Sequence, residues 1–496
     1  MIVIKVTPLS YRIQVSPNGQ LLGTNILLQS YLKRFAHNIW DKRQCRYLLY
    51  RRYVRYDEKT STLYAPRYDL EDFCQLLVRN NVLHSIERLP LQRGAEVSIV
   101  LKSHIKDRNT DQTEAITHLI TCSDSLRGLS LAPGFGKTYC SIKFISLSGL
   151  RSMIFVGGLI DQWKRSIFDF TELTEDDVYV VQGAASMTKL LLKIDKTIFP
   201  KIILCSLGTI RAYASGGDAY ENYPPFNKIF DILRVGIKII DEAHLNFFLT
   251  MMIDLQTNAE VNVALTATFD RGEQDVKKIF NFHYPRLMRF GEENFKRYVD
   301  IYSYRYTLGG VIPAKAYTTI QGYNNSKLEE WLLRKGRRHL DNIYSTVYSP
   351  AIHSHYINCK RPGQRLLILC SSIVMCQWFR EKLISDLSGD EKLEIELYIG
   401  ETDDIVLTEA DIIISTPGSG GTGRDIKELR TVLMTVATGS DTMNRQSLGR
   451  LRELPSGDTP NYIYTWNIDI EPHLKYHDIR KITYQNRGKS FSEIKI

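Results

Sequence analysis

The residues best equipped for chemistry lie in two short stretches roughly a hundred positions apart. The first, LAPGFGKT, runs from Leu131 to Thr138 and ends in Gly136, Lys137 and Thr138, with a further glycine at Gly134. It keeps the second half of the phosphate-loop pattern G-x-x-x-x-G-K-[ST], with Leu131 where the first glycine is written. At a helix N-terminus the backbone N–H groups meet phosphate charge and glycines allow close approach. A lysine then neutralises the β and γ phosphates, and a Thr hydroxyl ligates Mg²⁺. Lys137 and Thr138 suit those roles; a left-handed turn followed by a surface lysine is the alternative. The second stretch, GIKIIDEAH, sets Asp241, Glu242 and His244 after an apolar run. A carboxylate there can hold the water shell of Mg²⁺ while its neighbour takes a proton from an attacking water. Asp241 and Glu242 are the candidates, and ATP with Mg²⁺ is the implied substrate and cofactor.

Such residues act only if structural elements hold them. LAPGFGKT follows the apolar run RGLSLAP and precedes the helical TYCSIKFISLSGL, the strand, loop and helix order that a phosphate loop needs. Similar runs recur at SMIFVGG (152–158), KIILCS (201–206), GIKIIDE (236–242) and VNVALTAT (261–268). A second series follows at RLLILCSS (365–372), LEIELYIG (393–400), DIIISTP (411–417) and TVLMTVA (431–437). Continuous β-branched runs separated by helical patterns predict parallel strands covered on both faces. The fold class is therefore α/β, with two parallel-sheet domains in tandem over 101–285 and 286–496. The Tyr-, Lys- and Arg-rich stretch 286–360, with its helix-like KLEEWLLRKGRRHLDNIYSTVY, reads as linker and opening of the second domain. Residues 1–100 lack the pattern and read as a small α+β domain.

A chain of 496 residues is too long for one hydrophobic core. Its net charge is +9, and residues 1–100 carry 15 Lys/Arg against 8 Asp/Glu, so +7 of the +9 sits in the first fifth. That asymmetry favours a polyanionic partner, nucleic acid before membrane surface. Within it, RYLLYRRYVRY (46–56) interleaves basic and aromatic residues. On a duplex-binding surface Arg46, Arg51, Arg52 and Arg55 would neutralise phosphates while tyrosines pack or stack; an ordinary solvated hairpin is the alternative. The eight cysteines form no C-x-x-C pair and sit mostly in apolar runs, which predicts buried free thiols in a reducing compartment. No run approaches a membrane span, and a cytoplasmic location is expected, a host cytoplasm if the source is viral.

The phosphate loop, the DEAH, the TAT at Thr266, Ala267 and Thr268, and QSLGR further on together resemble the superfamily 2 helicases and translocases over roughly residues 105–470. Within that superfamily the compact motor is similar to the XPB-like and phage UvsW-like DNA helicases. IFVGGLIDQWKRSI (154–167) resembles their motif Ia, with Gly157 replacing a proline, and RRYVRYDEKTSTLYAPRY is similar to the small basic module of the UvsW-like group. The resemblance implies two RecA-like domains with ATP between them, and it accommodates Leu131 in the phosphate loop. It gives Gln112 the adenine-reading role and gives His244, Thr266 and Thr268 a part in coupling. STPGSGGTGRDI (415–426) resembles motif V, in which Thr422, Gly423 and Asp425 would couple nucleotide to the DNA track. NRQSLGRLRE (444–453) resembles motif VI, Q-x-x-G-R-x-x-R: Gln446, Gly449 and Arg450 match, Glu453 stands in the last position, and Arg452 is the nearest arginine. Arg450, planar and permanently charged, would stabilise the transferred phosphoryl group. The implied function is an ATP-dependent DNA helicase or branch-migration translocase in recombination, repair or replication-fork remodelling, acting on duplex, branched or single-stranded DNA. An RNA helicase or transcript-release factor with the same motor, and a nucleic-acid-binding protein with a decayed motor, are the alternatives.

Overall fold

In the computed structural model the chain forms two units, Met1–Glu293 and Asn294–Ile496. The structure describes all residues except 1, 15–35, 42–45, 58–61, 92, 132–134, 159, 194–198, 215–220, 267–273, 292–296, 311, 321, 388–392, 401, 404 and 420–425. In chain order the strands of the first unit are β1 (Ile2–Val6), β2 (Ser10–Gln14), β3 (Ala36–Asp41), β4 (Arg46–Arg52), β5 (Arg55–Asp57), β6 (Thr62–Pro66) and β7 (His84–Arg88), then β8 (Leu126–Ser130), β9 (Ser152–Val156), β10 (Val178–Val181), β11 (Ile202–Ser206), β12 (Ile237–Ile240), β13 (Val261–Thr266) and β14 (Arg289–Phe290). Those of the second are β15 (Asp300–Tyr306), β16 (Thr318–Thr319), β17 (Gly322–Tyr323), β18 (Arg365–Leu369), β19 (Ile395–Tyr398), β20 (Ile412–Ser415), β21 (Leu429–Met434), β22 (Asn461–Asn467) and β23 (Ser490–Lys495).

Each unit is built on a seven-stranded sheet, β10-β11-β9-β12-β13-β8-β14 in the first and β19-β20-β18-β21-β22-β15-β23 in the second. Every pairing in both is parallel. The period of two along a strand explains why the runs are apolar throughout. On β9, Met153 and Phe155 enter one core while Ile154 and Val156 enter the other. On β20, Ile412 and Ile414 face one layer and Ile413 the opposite one. All nine runs read from the sequence form strands of these sheets.

Residues 300–306, within the stretch read as linker and opening of the second domain, form β15, which lies inside the second sheet between β22 and β23. Its sequence DIYSYRY fills the hydrophobic positions with tyrosines, and Tyr304 and Tyr306 are buried by their rings while the hydroxyls stay polar. A count of aliphatic residues therefore passes over it. Among the described cysteines, all free, Cys140, Cys205, Cys370 and Cys376 are buried, whereas Cys74, Cys122 and Cys359 are only half-buried.

The N-terminal segment forms a five-stranded mixed sheet, β5-β6-β2-β1-β7, and a separate β3–β4 hairpin. Helix Leu70–Arg79 buries Leu70, Phe73 and Leu77 in the same core as Ile4, Tyr11 and Ile13. That core runs without a break into Phe155, Phe230, Phe247 and Phe280 beneath the first parallel sheet. Two arginines complete the junction. Arg12 Nη2 donates to the Gln256 carbonyl at 3.3 Å and Arg55 Nη1 to the Ala214 carbonyl at 2.6 Å. Those carbonyls close the helices Phe247–Gln256 and Leu207–Ala214, where unpaired C=O groups and the helix dipole favour a cation.

Candidate nucleotide site

The chemistry-bearing residues of the first unit gather at the carboxyl edge of its sheet, where parallel α/β sheets bind ligands. β8 ends at Ser130, and the backbone N–H of Leu131 donates to the Thr266 carbonyl at 3.2 Å, tying the start of the loop to the end of β13. Gly136 has φ +100°, and a Cβ there would stand 2.6 Å from Gln112 Nε2, so only glycine fits this turn. The twelve-residue helix Lys137–Ser148 follows at once, with Lys137 and Thr138 in its first turn. Its N–H groups therefore open toward the loop, as an anion site requires. Asp107 anchors the helix from outside by accepting from Tyr139 Oη at 2.6 Å and Lys143 Nζ at 2.7 Å.

Asp241 and Glu242 follow β12 directly. Lys137 Nζ lies 3.1 Å from Glu242 Oε1, joining the phosphate loop to the DEAH across 105 residues of sequence. Asp241 accepts one hydrogen bond at each oxygen: from Trp163 Nε1 to Oδ2 at 2.9 Å, and from the Glu242 backbone N–H to Oδ1 at 3.0 Å. Burial, and then the charge of Glu242, push the Asp241 carboxyl up to about 6, against the pull of Lys137 and the Trp163 hydrogen bond. Glu242 itself has φ +48°, a left-handed conformation that costs a non-glycine residue energy and concentrates at functional turns. The turn lets the Ala243 N–H donate to the Leu265 carbonyl at 3.0 Å and brings the buried His244 Nδ1 within 2.7 Å of Thr266 Oγ1. The DEAH is thus bonded directly to the first threonine of the TAT.

Gln112 is almost wholly buried, and both ends of its amide are used. Oε1 accepts from the Arg108 N–H at 2.8 Å, and Nε2 donates to the Phe135 carbonyl of the phosphate loop at 2.7 Å. Asn109 caps its helix, Thr110–Thr121, by accepting from the Gln112 N–H. In this structure Gln112 props the loop.

In the second unit the helix Asp441–Leu448 carries Gln446 and ends at Gly449. Arg450 is buried at 6% exposure. Arg452 Nη1 turns back onto its own chain, donating to the Gly449 carbonyl and to that of Leu451. Helix Glu471–Arg487 steadies this segment: Arg480 Nε and Tyr484 Oη both donate to Asn444 Oδ1 at 3.1 Å. At the carboxyl ends of β18, β20 and β21 a cavity of about 360 Å³ is lined by Ser371, Thr416, Gly418 and Thr438, among others. Thr416 to Gly418 open the stretch that the sequence reading assigned to motif V. Glu329, 7% exposed, accepts from the Ser371 N–H at 2.7 Å and from Ser372 Oγ at 2.6 Å, bracing that rim.

Of the other residues singled out from the sequence, Gly134, Thr268, Thr422, Gly423 and Asp425 lie outside the described residues. For Arg46, Arg51 and Arg52 the structure describes the strand β4 alone, paired antiparallel with β3. Arg55 meets the helix end described above. Trp163, Asp107 and Glu329 escaped the sequence reading. For Trp163 a signal existed: Ile160, Trp163 and Ile167 form a buried helical stripe, and a buried indole N–H must find an acceptor.

No family model matches the chain, and no curated protein matches it. Solved structures do. T4 UvsW is 12% identical over 100% of this chain and 99% of that one, with a TM-score of 0.37. S. cerevisiae Dbp5 bound to RNA and ADP BeF3 is 12% identical over 78% of this chain and 89% of that one, with a TM-score of 0.48. The ATP-dependent Type ISP restriction-modification enzyme LlaBIII bound to DNA is 13% identical over 86% of this chain, with a TM-score of 0.52. This chain spans only 34% of LlaBIII. With the two all-parallel sheets, that last likeness identifies the fold as two tandem RecA-like domains preceded by a small mixed sheet.

Proposed function

We propose that the chain is an ATP-driven DNA helicase or translocase acting on duplex or branched DNA, in recombination, repair or replication-fork remodelling. The observation that carries the reading is the Lys137–Glu242 pair, which sets a phosphate-binding lysine and a proton acceptor side by side at a helix N-terminus. The Thr138 hydroxyl and the Asp241 carboxylate are hard oxygen donors of the kind Mg²⁺ takes, directly and through water, and would hold it. When bound, the ion would neutralise charge on the β and γ phosphates. Phosphates arriving at the helix N-terminus would draw Lys137 off Glu242. The freed carboxylate would then orient a water and accept its proton. Arg450 is the candidate for the charge on the transferred group, and the His244–Thr266 bond is a route by which a change at Glu242 would reach β13.

DNA is favoured as the track by the LlaBIII likeness and by the positive charge of the first hundred residues. The test is steady-state ATP hydrolysis by wild type and Lys137→Ala, each alone and with linear duplex, a four-way junction, single-stranded DNA or RNA. DNA stimulation of wild type with a silent Lys137→Ala protein is the expected result. Stimulation by RNA alone would replace DNA with RNA as the track, and a wild type silent on every substrate would leave a decayed motor.

A further inference from the structure

We infer that Trp163 is a positioning residue for Asp241, fixing how the carboxylate faces a metal bound at the phosphate loop; this rests on the nucleotide-site reading above. The terminal torsion of an aspartate is broad and roughly two-fold, so a carboxylate is oriented only if its oxygens are held. Here two donors from different elements hold it. The indole N–H comes from helix Ile160–Phe170, which follows β9, and the Glu242 N–H comes from the chain just past β12. Neither donor can swing away. The Glu242 N–H belongs to the backbone of a strained turn, and the Trp163 ring is 2% exposed among Ile160, Ile167, Ile154 and Ile239.

The direction of the bond matters as well. An indole N–H only donates, so it cannot take a proton from Asp241 or compete with it for a cation. Each carboxylate oxygen accepts one of these two hydrogen bonds and can still offer a lone pair to a metal or its water. Groups that orient metal-binding carboxylates in this way typically govern metal affinity by about 10–100-fold.

The test uses the full chain and a fluorescent N-methylanthraniloyl ATP, with binding titrated in EDTA and over a range of Mg²⁺ concentrations. Trp163→Phe keeps one aromatic ring and removes the N–H together with the five-membered ring that carries it. The control Ile167→Ala takes apolar volume from the same buried face without touching a hydrogen bond. The expected result is that Trp163→Phe needs about 10-fold more Mg²⁺ to reach the wild-type gain in nucleotide affinity. Its affinity in EDTA should be unchanged, and Ile167→Ala should titrate like wild type. If Trp163→Phe does not accumulate as folded protein, Trp163→Met, which can fill the gap flexibly, carries the same readout. A Trp163→Phe titration that superimposes on wild type, or an Ile167→Ala shift of equal size, overturns this inference alone. A wild type that binds no nucleotide in either condition overturns it together with the site reading beneath it.

Discussion

The ring of Tyr53, from the N-terminal segment, lies 5.4 Å from that of Phe247, the first residue of the helix that follows the DEAH. Tyr53 is fully buried there, with Phe248 against its edge at 5.9 Å. Basic and aromatic residues of this segment, Tyr53 and Arg55 among them, therefore bind it into the first unit.

A shared core makes the segment indispensable to the first unit. Tyr53→Ala should destabilise it by about 3–5 kcal/mol, the usual cost of emptying a buried aromatic site. Thermal melts of the full chain check this. Deletion of residues 1–93 should leave Phe247 and Phe280 uncovered and the product aggregated on expression.

Lys238, on β12, is buried and bonded to Asp254 Oδ1 at 2.5 Å, while His283 Nε2 meets Asp254 Oδ2 at 2.6 Å. Burial pulls the Asp254 carboxyl up, but Lys238 and His283 outweigh it and hold it below the usual range. Asp254→Asn strands a buried ammonium and should cost about 3–5 kcal/mol. The double variant Lys238→Met/Asp254→Leu should cost less than Asp254→Asn alone, because no unpaired ammonium remains. Urea unfolding of both proteins decides.

Gln112 spends both ends of its amide inside the protein, so its loss should be felt through the phosphate loop. Gln112→Ala is expected to weaken ATP and GTP alike by about 10-fold, the equivalent of one hydrogen bond of 1.4 kcal/mol. Loss of ATP affinity with GTP untouched would instead restore the adenine-reading role suggested by the resemblance.

Glu329 supplies a pH dependence. Burial pushes its carboxyl up from 4.5 to about 7, against the hydrogen bonds from Ser372 and Ser371. A folded-state value above the unfolded one means the stabilising contribution is complete below pH 4.5 and is lost as pH rises through about 7. The loss amounts to about 3 kcal/mol at most. Glu329→Gln, neutral and of the same shape, should therefore gain on wild type in paired melts as pH moves from 5.5 to 8. A gap that is constant with pH would refute it.

The sequence by itself determined the nine apolar strands, their division into two parallel sheets, and the phosphate loop and DEAH as candidate sites. Each of these is a local property: a run of β-branched residues, or a spacing readable within ten positions. β15 was lost because its apolar surface is tyrosine, whose ring packs like a hydrophobe and whose hydroxyl counts as polar. Only the tertiary structure decided the partners. Lys137 meets Glu242 across 105 residues and Trp163 meets Asp241 across 78. Strand order brings such residues to one edge of a sheet, and strand order is fixed by how whole layers pack, not by any local pattern. The same holds for Tyr53 and Gln112: residue type marked them as able to stack or to bond, and the neighbours that took up those capacities came from elsewhere in the fold.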